Sequence, residues 1–259
     1  MRVFFNFATS AGYLAHRPFY GEGFSVPSAK AMRREREQKP KKLVKAAHLR
    51  VLLAKARQPL RAMILLGINC AFGNTDCALL PRAALDLEGG WVEFPRPKTG
   101  GFRRCPLWAE TVAALKDWLE QPPRGKRPQA DDLVFHTHHG NSWQDAKNTL
   151  LSAEFRKLCV EAKLPNPLPR FYDLRHTFVT VASQTETAKA IRVITGHIPS
   201  ASDILAVSYD ERPTVSDRRL KRVTDRVWRW LQRSGGPKPA VQTDDAGRHV
   251  VPFVRRSAS

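Results

Sequence analysis

Long hydrophobic runs are absent from this chain. No stretch approaches the roughly 18 apolar residues that a helix needs to cross a bilayer, which excludes a membrane-spanning role. Cysteine is scarce and shows no CxxC spacing: Cys70, Cys77, Cys105 and Cys159 lie mostly within apolar stretches. With no secretory signal ahead of them, they read as buried free thiols in a protein of the reducing cytoplasm. His136-Thr137-His138-His139 has no cysteine or carboxylate at ligand spacing. It therefore reads as a loop end after a strand rather than as a zinc site. There is no internal repeat, and 259 residues suffice for one good core with at most a smaller satellite.

Negative charge is the other shortage. Asp and Glu number 24 against 43 Lys and Arg, which gives a net charge of +19 and a pI near 10.4. The excess is spread along the chain. Arg33, Arg34, Arg36, Lys39, Lys41, Lys42 and Lys45 form one block; Arg218, Arg219, Lys221, Arg222, Arg226 and Arg229 form another. Either block alone fits a solvated face. Two blocks and a basic middle point to a polyanion, and double-stranded DNA is the expected partner because phosphate neutralisation supplies most non-specific DNA affinity.

What is present is mainly helical pattern. Residues 1–11 read as the end of an amphipathic helix, followed by Gly and Pro breaks and a basic linker over 30–42. Helices are expected at about 43–57 and 59–70, with Asn74 or Thr75 capping a short helix that ends at Pro81. Residues 85–94 alternate around Gly89-Gly90, a hairpin signal, and a third strand at 103–107 follows the turn Pro97–Gly101. Further helices are expected at 108–120, 150–162, 173–183, 188–195, 202–208 and 216–232, with a short extended piece at 133–135. The last helix carries Leu220, Val223, Val227, Trp230 and Leu231 on one face. Residues 234–259 are polar and charged and read as a disordered tail. The fold class is thus α+β, mainly α-helical, with a small three-stranded antiparallel sheet.

The chemistry concentrates in Tyr172-Asp173-Leu174-Arg175-His176-Thr177-Phe178, then Thr195-Gly196-His197, then Tyr209, with no tyrosine after it. An arginine fork that holds phosphate, an imidazole and a phenol in a basic chain suit phosphoryl transfer on nucleic acid. These residues resemble the tyrosine recombinase (phage integrase) family over about residues 43–232. Asp173–Phe178 is similar to the box around the family's second catalytic arginine, Thr195-Gly196-His197 to its Leu-Gly-His, and Pro97-Lys98-Thr99-Gly100 to its lysine-bearing turn. Tyr209 stands where the nucleophile is expected.

The resemblance implies a helical-bundle catalytic domain over 43–233. It also implies that residues 1–29 are the remnant of an N-terminal core-binding helical domain, so that the chain is a truncated integrase or an isolated catalytic domain. No metal, nucleotide cofactor or small-molecule substrate is implied, and a homo-oligomeric synapse on DNA is. In its terms Tyr209 attacks the scissile phosphate, Arg175 clamps it, His197 donates to a non-bridging oxygen and Lys98 protonates the leaving 5′-oxygen. Each has a plainer alternative: a surface arginine paired with Asp173 or Glu186, a polar helix cap, an exposed turn lysine, a partly buried aromatic.

Two positions depart from the family pattern. Asn74 stands where a first arginine is expected, after Gly73, and it also suits a simple helix cap. Tyr172 replaces a histidine three residues before Arg175, and it also suits packing. Arg82 and Arg61 are the nearest replacement candidates for the missing guanidinium. The twelve positions from His197 to Tyr209 exceed the family's usual spacing, which a small insertion around Pro199–Asp203 would explain. Three functional classes follow: a DNA-integrating and recombining enzyme working through a 3′-phosphotyrosine link, a degenerate relative that binds DNA without cutting, and a type IB topoisomerase-like relaxase.

Overall fold

The computed structural model describes residues 2–19, 21, 27–38, 43–121, 132–137, 139–144, 150–184, 186–198 and 215–233. Tyr209, the helix expected at 202–208 and the tail at 234–259 lie outside them. The chain divides into two compact units, Met1–Lys41 and Lys42–Ser259.

The first unit holds helices α1 (Arg2–Ser10) and α2 (Ala29–Gln38). In α1 Val3, Phe4 and Phe7 are exposed while Ala8 is buried. The basic run expected to be linker is instead helical over Ala29–Gln38. Ser28 explains the start: its Oγ accepts the Ala31 N–H at 3.2 Å, and the Ala, Met, Glu, Gln, Lys and Arg that follow are all strong helix formers. Charge was the weaker guide there.

The second unit is built round α4 (Leu60–Asn69), in which every residue from Ala62 to Asn69 is buried. Helices α3 (Ala46–Lys55), α6 (Ala109–Glu120), α7 (Leu150–Glu161), α8 (Asp173–Ala182) and α10 (Asp217–Arg233) all pack on it, and α9 (Ala188–Thr195) packs on α10. Gly67 lets α8 approach closely: a Cβ there would lie 2.7 Å from Leu174 Cδ1. Strands β1 (Leu85–Asp86), β2 (Trp91–Glu93) and β3 (Arg104–Pro106) form an antiparallel sheet in that order, pairing Val92 with Leu85 and with Cys105. The extended piece at 133–135 is tied to the chain before the sheet, by an isolated bridge of Leu133 to Pro81 and by the Val134 N–H, which donates to the Leu80 carbonyl at 2.8 Å.

Buried polar groups tie sheet to bundle. Asn69 Nδ2 donates to the Pro106 carbonyl at 3.0 Å, while its Oδ1 accepts from Trp108 N–H and Thr111 Oγ1. Trp108 Nε1 donates to the Thr224 carbonyl, and its ring meets Trp228 at 5.0 Å. Trp228, rather than Trp230, is therefore the buried tryptophan of α10, because it follows Thr224 by one helical turn. The four cysteines are free and buried, and burial pushes the Cys159 thiol up to about 11. Among the described residues no helix is long and apolar enough to cross a membrane.

Candidate active site

Arg175 lies in the first turn of α8. That helix starts where Asp173 folds back: its Oδ2 accepts the Arg170 N–H at 2.9 Å, and Leu174, Phe178, Val181 and Ala182 then bury one face. Arg175 is 6% exposed, and its guanidinium is held between two backbone carbonyls. Nη1 donates to Ala71 and Nη2 to Thr195, both at 2.8 Å. These bonds fix the fork and, among the described residues, leave further N–H donors unused. The Ala71 end is itself strained. Ala71 adopts φ 56, a left-handed conformation that costs an alanine on the order of 1–3 kcal/mol, and it closes α4 as Phe72 N–H returns to the Leu66 carbonyl. The carbonyl so presented is the one Arg175 uses.

Other charges gather round it. Burial lowers the Arg175 pKa from its ordinary value and the nearby Arg96 lowers it further; Tyr172 and Asp76 act the other way, and Arg103 adds to the lowering. Arg103 is fully buried. Its Nε donates to the Phe94 carbonyl at 2.8 Å, its Nη2 pairs with Asp76 at 3.1 Å, and its plane lies 4.0 Å above the Phe72 ring. Its Nη1 is buried without a hydrogen-bond partner among the described residues.

Asp76 also explains the turn before α5 (Asn74–Ala78). Its Oδ2 accepts the Gly73 N–H at 2.6 Å. Neither Asn74 nor Thr75 is the cap, because the helix already includes both and Gly73 is the residue in front. Asn74 Nδ2 instead donates to Ser152 Oγ on α7 at 2.6 Å. Tyr172 is 41% exposed, with its ring alongside Gly73 and edge-on to His176 at 5.2 Å. The two nearest candidates to replace the missing arginine bond carbonyls outside this cluster. Arg61 Nη1 donates to the Leu53 carbonyl, and Arg82 Nε to that of Leu133 at 3.4 Å.

Lys98 is exposed on the turn between β2 and β3. The Arg96 carbonyl accepts from Thr99 and Gly100, and the Arg96 N–H donates to Gly101 at 2.8 Å. This turn lies against the end of α9. Gly196 ends that helix at φ 60, and the exposed His197 follows with its N–H bonded to the Arg192 carbonyl. A Cβ on Gly101 would sit 2.7 Å from the Gly196 oxygen, and one on Gly196 would sit 2.9 Å from Arg96 Cβ. The Lys98 turn thus adjoins the residue before His197, and the Thr195 carbonyl beside it holds Arg175. Asn74 lies three residues beyond the Ala71 carbonyl that holds Arg175, with its amide directed to α7.

Sequence reasoning missed Arg96, Arg103 and Asp76. For Arg103 a signal existed: it stands two residues before the apolar Cys105 and so shares its side of the strand, which faces inward. Asp76 was hidden inside a stretch that reads as a plain turn.

No family model and no curated protein matches the sequence. Solved structures do match. The Tn1549 transposon integrase in complex with a circular intermediate DNA has a TM-score of 0.58 at 16% identity, over 87% of this chain and 76% of that one. The XerH site-specific recombinase bound to a palindromic difH substrate has 0.55 at 17%, over 81% and 58%. A lambda integrase dimer bound to a COC′ core site has 0.54 at 15%, over 78% and 70%. The chain has the fold of the tyrosine recombinases. It spans between 58% and 76% of the length of these three proteins. Within the tyrosine recombinase fold, the three-stranded sheet and α4, α8 and α9 are the elements that surround Arg175.

Proposed function

We propose that this protein is a tyrosine-type DNA breaking and rejoining enzyme, acting in site-specific integration or recombination. The observation that carries the reading is Arg175, a buried guanidinium clamped by the Ala71 and Thr195 carbonyls with donors to spare, in a fold shared with integrases. A phosphodiester bound there would meet Arg175 on one side, and Lys98 and His197 on the turn and helix end beside it. Tyr209 Oη gives up its proton to solvent and attacks phosphorus, a phosphotyrosine bond forms at the 3′ side and the bond to the 5′-oxygen breaks. Lys98 supplies the proton to that oxygen. A 5′-hydroxyl from another strand then attacks the phosphotyrosine, restores the phosphodiester and frees the phenol. Charge on the pentacoordinate phosphorus is stabilised by Arg175 and His197, and Tyr172, by position, adds a neutral donor.

The exposed Arg218, Arg219, Lys221, Arg222 and Arg229 of α10 supply sequence-independent phosphate contacts. We read the unit Met1–Lys41 as part of an N-terminal helical domain that contacts DNA, and the active form as an oligomer assembled on DNA. A second reading is favoured by one observation: Asn74, at the position of a first arginine, spends its amide on Ser152. In that reading the protein binds DNA without cutting it.

Trapping decides between them. A pool of nicked suicide duplexes of randomised sequence is incubated with the full chain and resolved under denaturing conditions. The enzyme reading expects a covalent protein–DNA band that Tyr209→Phe abolishes while DNA binding persists. DNA binding with no covalent band establishes the second reading.

A further inference from the structure

We propose that Arg96 is a second phosphate-binding guanidinium of this site, standing in for the charge that Asn74 lacks. The inference rests on the strand-exchange reading above and adds a catalytic residue to it.

Charge balance is the first argument. Arg96, Arg103 and Arg175 share one region in which Asp76 is the only carboxylate, among the described residues, that offsets the charge at Arg175. That carboxylate is already bonded to Arg103 through one oxygen and to the Gly73 N–H through the other. Among the described residues, two positive charges therefore remain without a counter-charge. Like charges held together in a partly dry setting raise the free energy of the empty site. An anion bound between them relieves that repulsion, so the same cluster favours an anionic ligand.

Geometry then separates the three arginines. Arg103 is fully buried, with its bonds to Phe94 and Asp76 and its stack on Phe72 holding it in place, so it supports the site and does not meet DNA. Arg175 is anchored by two carbonyls. Arg96 is half-exposed, and its guanidinium has no hydrogen bond or ion pair among the described residues. Its Cβ abuts Gly196, while Arg175 Nη2 bonds the carbonyl of Thr195, so the two arginines flank the same peptide unit.

The base of Arg96 is also fixed. Its N–H and carbonyl make three of the hydrogen bonds that shape the Lys98 turn, so the turn that presents the proposed acid presents this arginine too. A side chain rooted in a set backbone, with free donors and a neighbouring phosphate clamp, loses little freedom on taking up a phosphate oxygen. Arg61 and Arg82, the alternatives suggested by sequence order, already bond carbonyls at Leu53 and Leu133.

The test compares Arg96→Ala with the unaltered full chain on the same suicide duplex pool. The rate of covalent adduct formation is expected to fall by roughly 10²–10³, the usual cost of one preorganised donor. The denaturation midpoint should not fall, since no described residue bonds the side chain, and it should rise slightly as the repulsion with Arg175 is relieved. Adduct formation by Arg96→Ala at the unaltered rate overturns the proposal. If the unaltered chain forms no adduct, the strand-exchange reading fails by itself, and titration with inorganic phosphate then judges Arg96. A tenfold or greater loss of phosphate affinity in Arg96→Ala supports the anion site, and equal affinity overturns it.

Discussion

Two groups of buried or half-buried arginines in the second unit behave differently. On one side Arg50 donates to the Leu231 carbonyl at the end of α10 and Arg61 to the Leu53 carbonyl near the end of α3. Each meets orphan carbonyls at a helix C-terminus, where a cation also suits the helix dipole. Burial lowers both pKa values; for Arg61 the neighbouring Asp117 pulls the other way, and no cation adds to the lowering at either. On the other side Arg175 and Arg103 have further cations as neighbours and donor capacity left over. A buried arginine as such indicates a structural task. Unspent donors beside uncompensated positive charge indicate a site for an anion.

The sharpest way to break this contrast is Arg103→Met. It strands the Asp76 carboxylate in a dry setting, so a loss of about 3–5 kcal/mol in stability is expected, read from urea denaturation. A loss below about 1 kcal/mol would mean that Asp76 does not depend on its partner. Arg61→Met should cost about 1–2 kcal/mol for the lost carbonyl bond and leave DNA affinity unchanged at matched salt. A fall in affinity would erase the distinction between the two groups.

The smallest expected effect concerns His48 on α3, whose pKa lies below its ordinary value of 6.5 because of burial and, secondarily, Lys45. Below pH 6.5 the unfolded chain takes up this proton before the folded one does. Stability is therefore full above that pH and declines as the pH falls through and below it. His48→Gln should flatten the decline in denaturation midpoint between pH 7 and 5, and an unchanged slope would assign that decline to other groups.

Periodicity made most helices legible, because long amphipathic or fully apolar segments such as 59–70 and 216–232 leave few alternatives. The hairpin was legible for the same reason at period two, with the Gly89-Gly90 pair marking its turn. The helix over 29–38 was not legible, because a dense run of charge conceals good helix formers behind a serine cap. At the site, Arg175, His197 and Lys98 stand out through local motifs. Arg96 and Arg103 do not, since a lone turn arginine and an Arg-Arg pair look like solvated surface until the packing against Gly196 and Phe72 is known. Non-local pairing such as Asp76 with Arg103, 27 positions apart, leaves no periodic trace.

The backbone contact between Gly101 and Gly196 has a mechanical consequence. Two chain segments far apart in sequence meet there with no side chain as a spacer, so the turn and the end of α9 are seated on each other as parts of one rigid jaw. The spacing between the roots of Lys98 and His197 is then set by peptide against peptide rather than by rotamers. Any substituent at either glycine acts as a wedge, spoiling the alignment of both groups together while leaving each side chain intact.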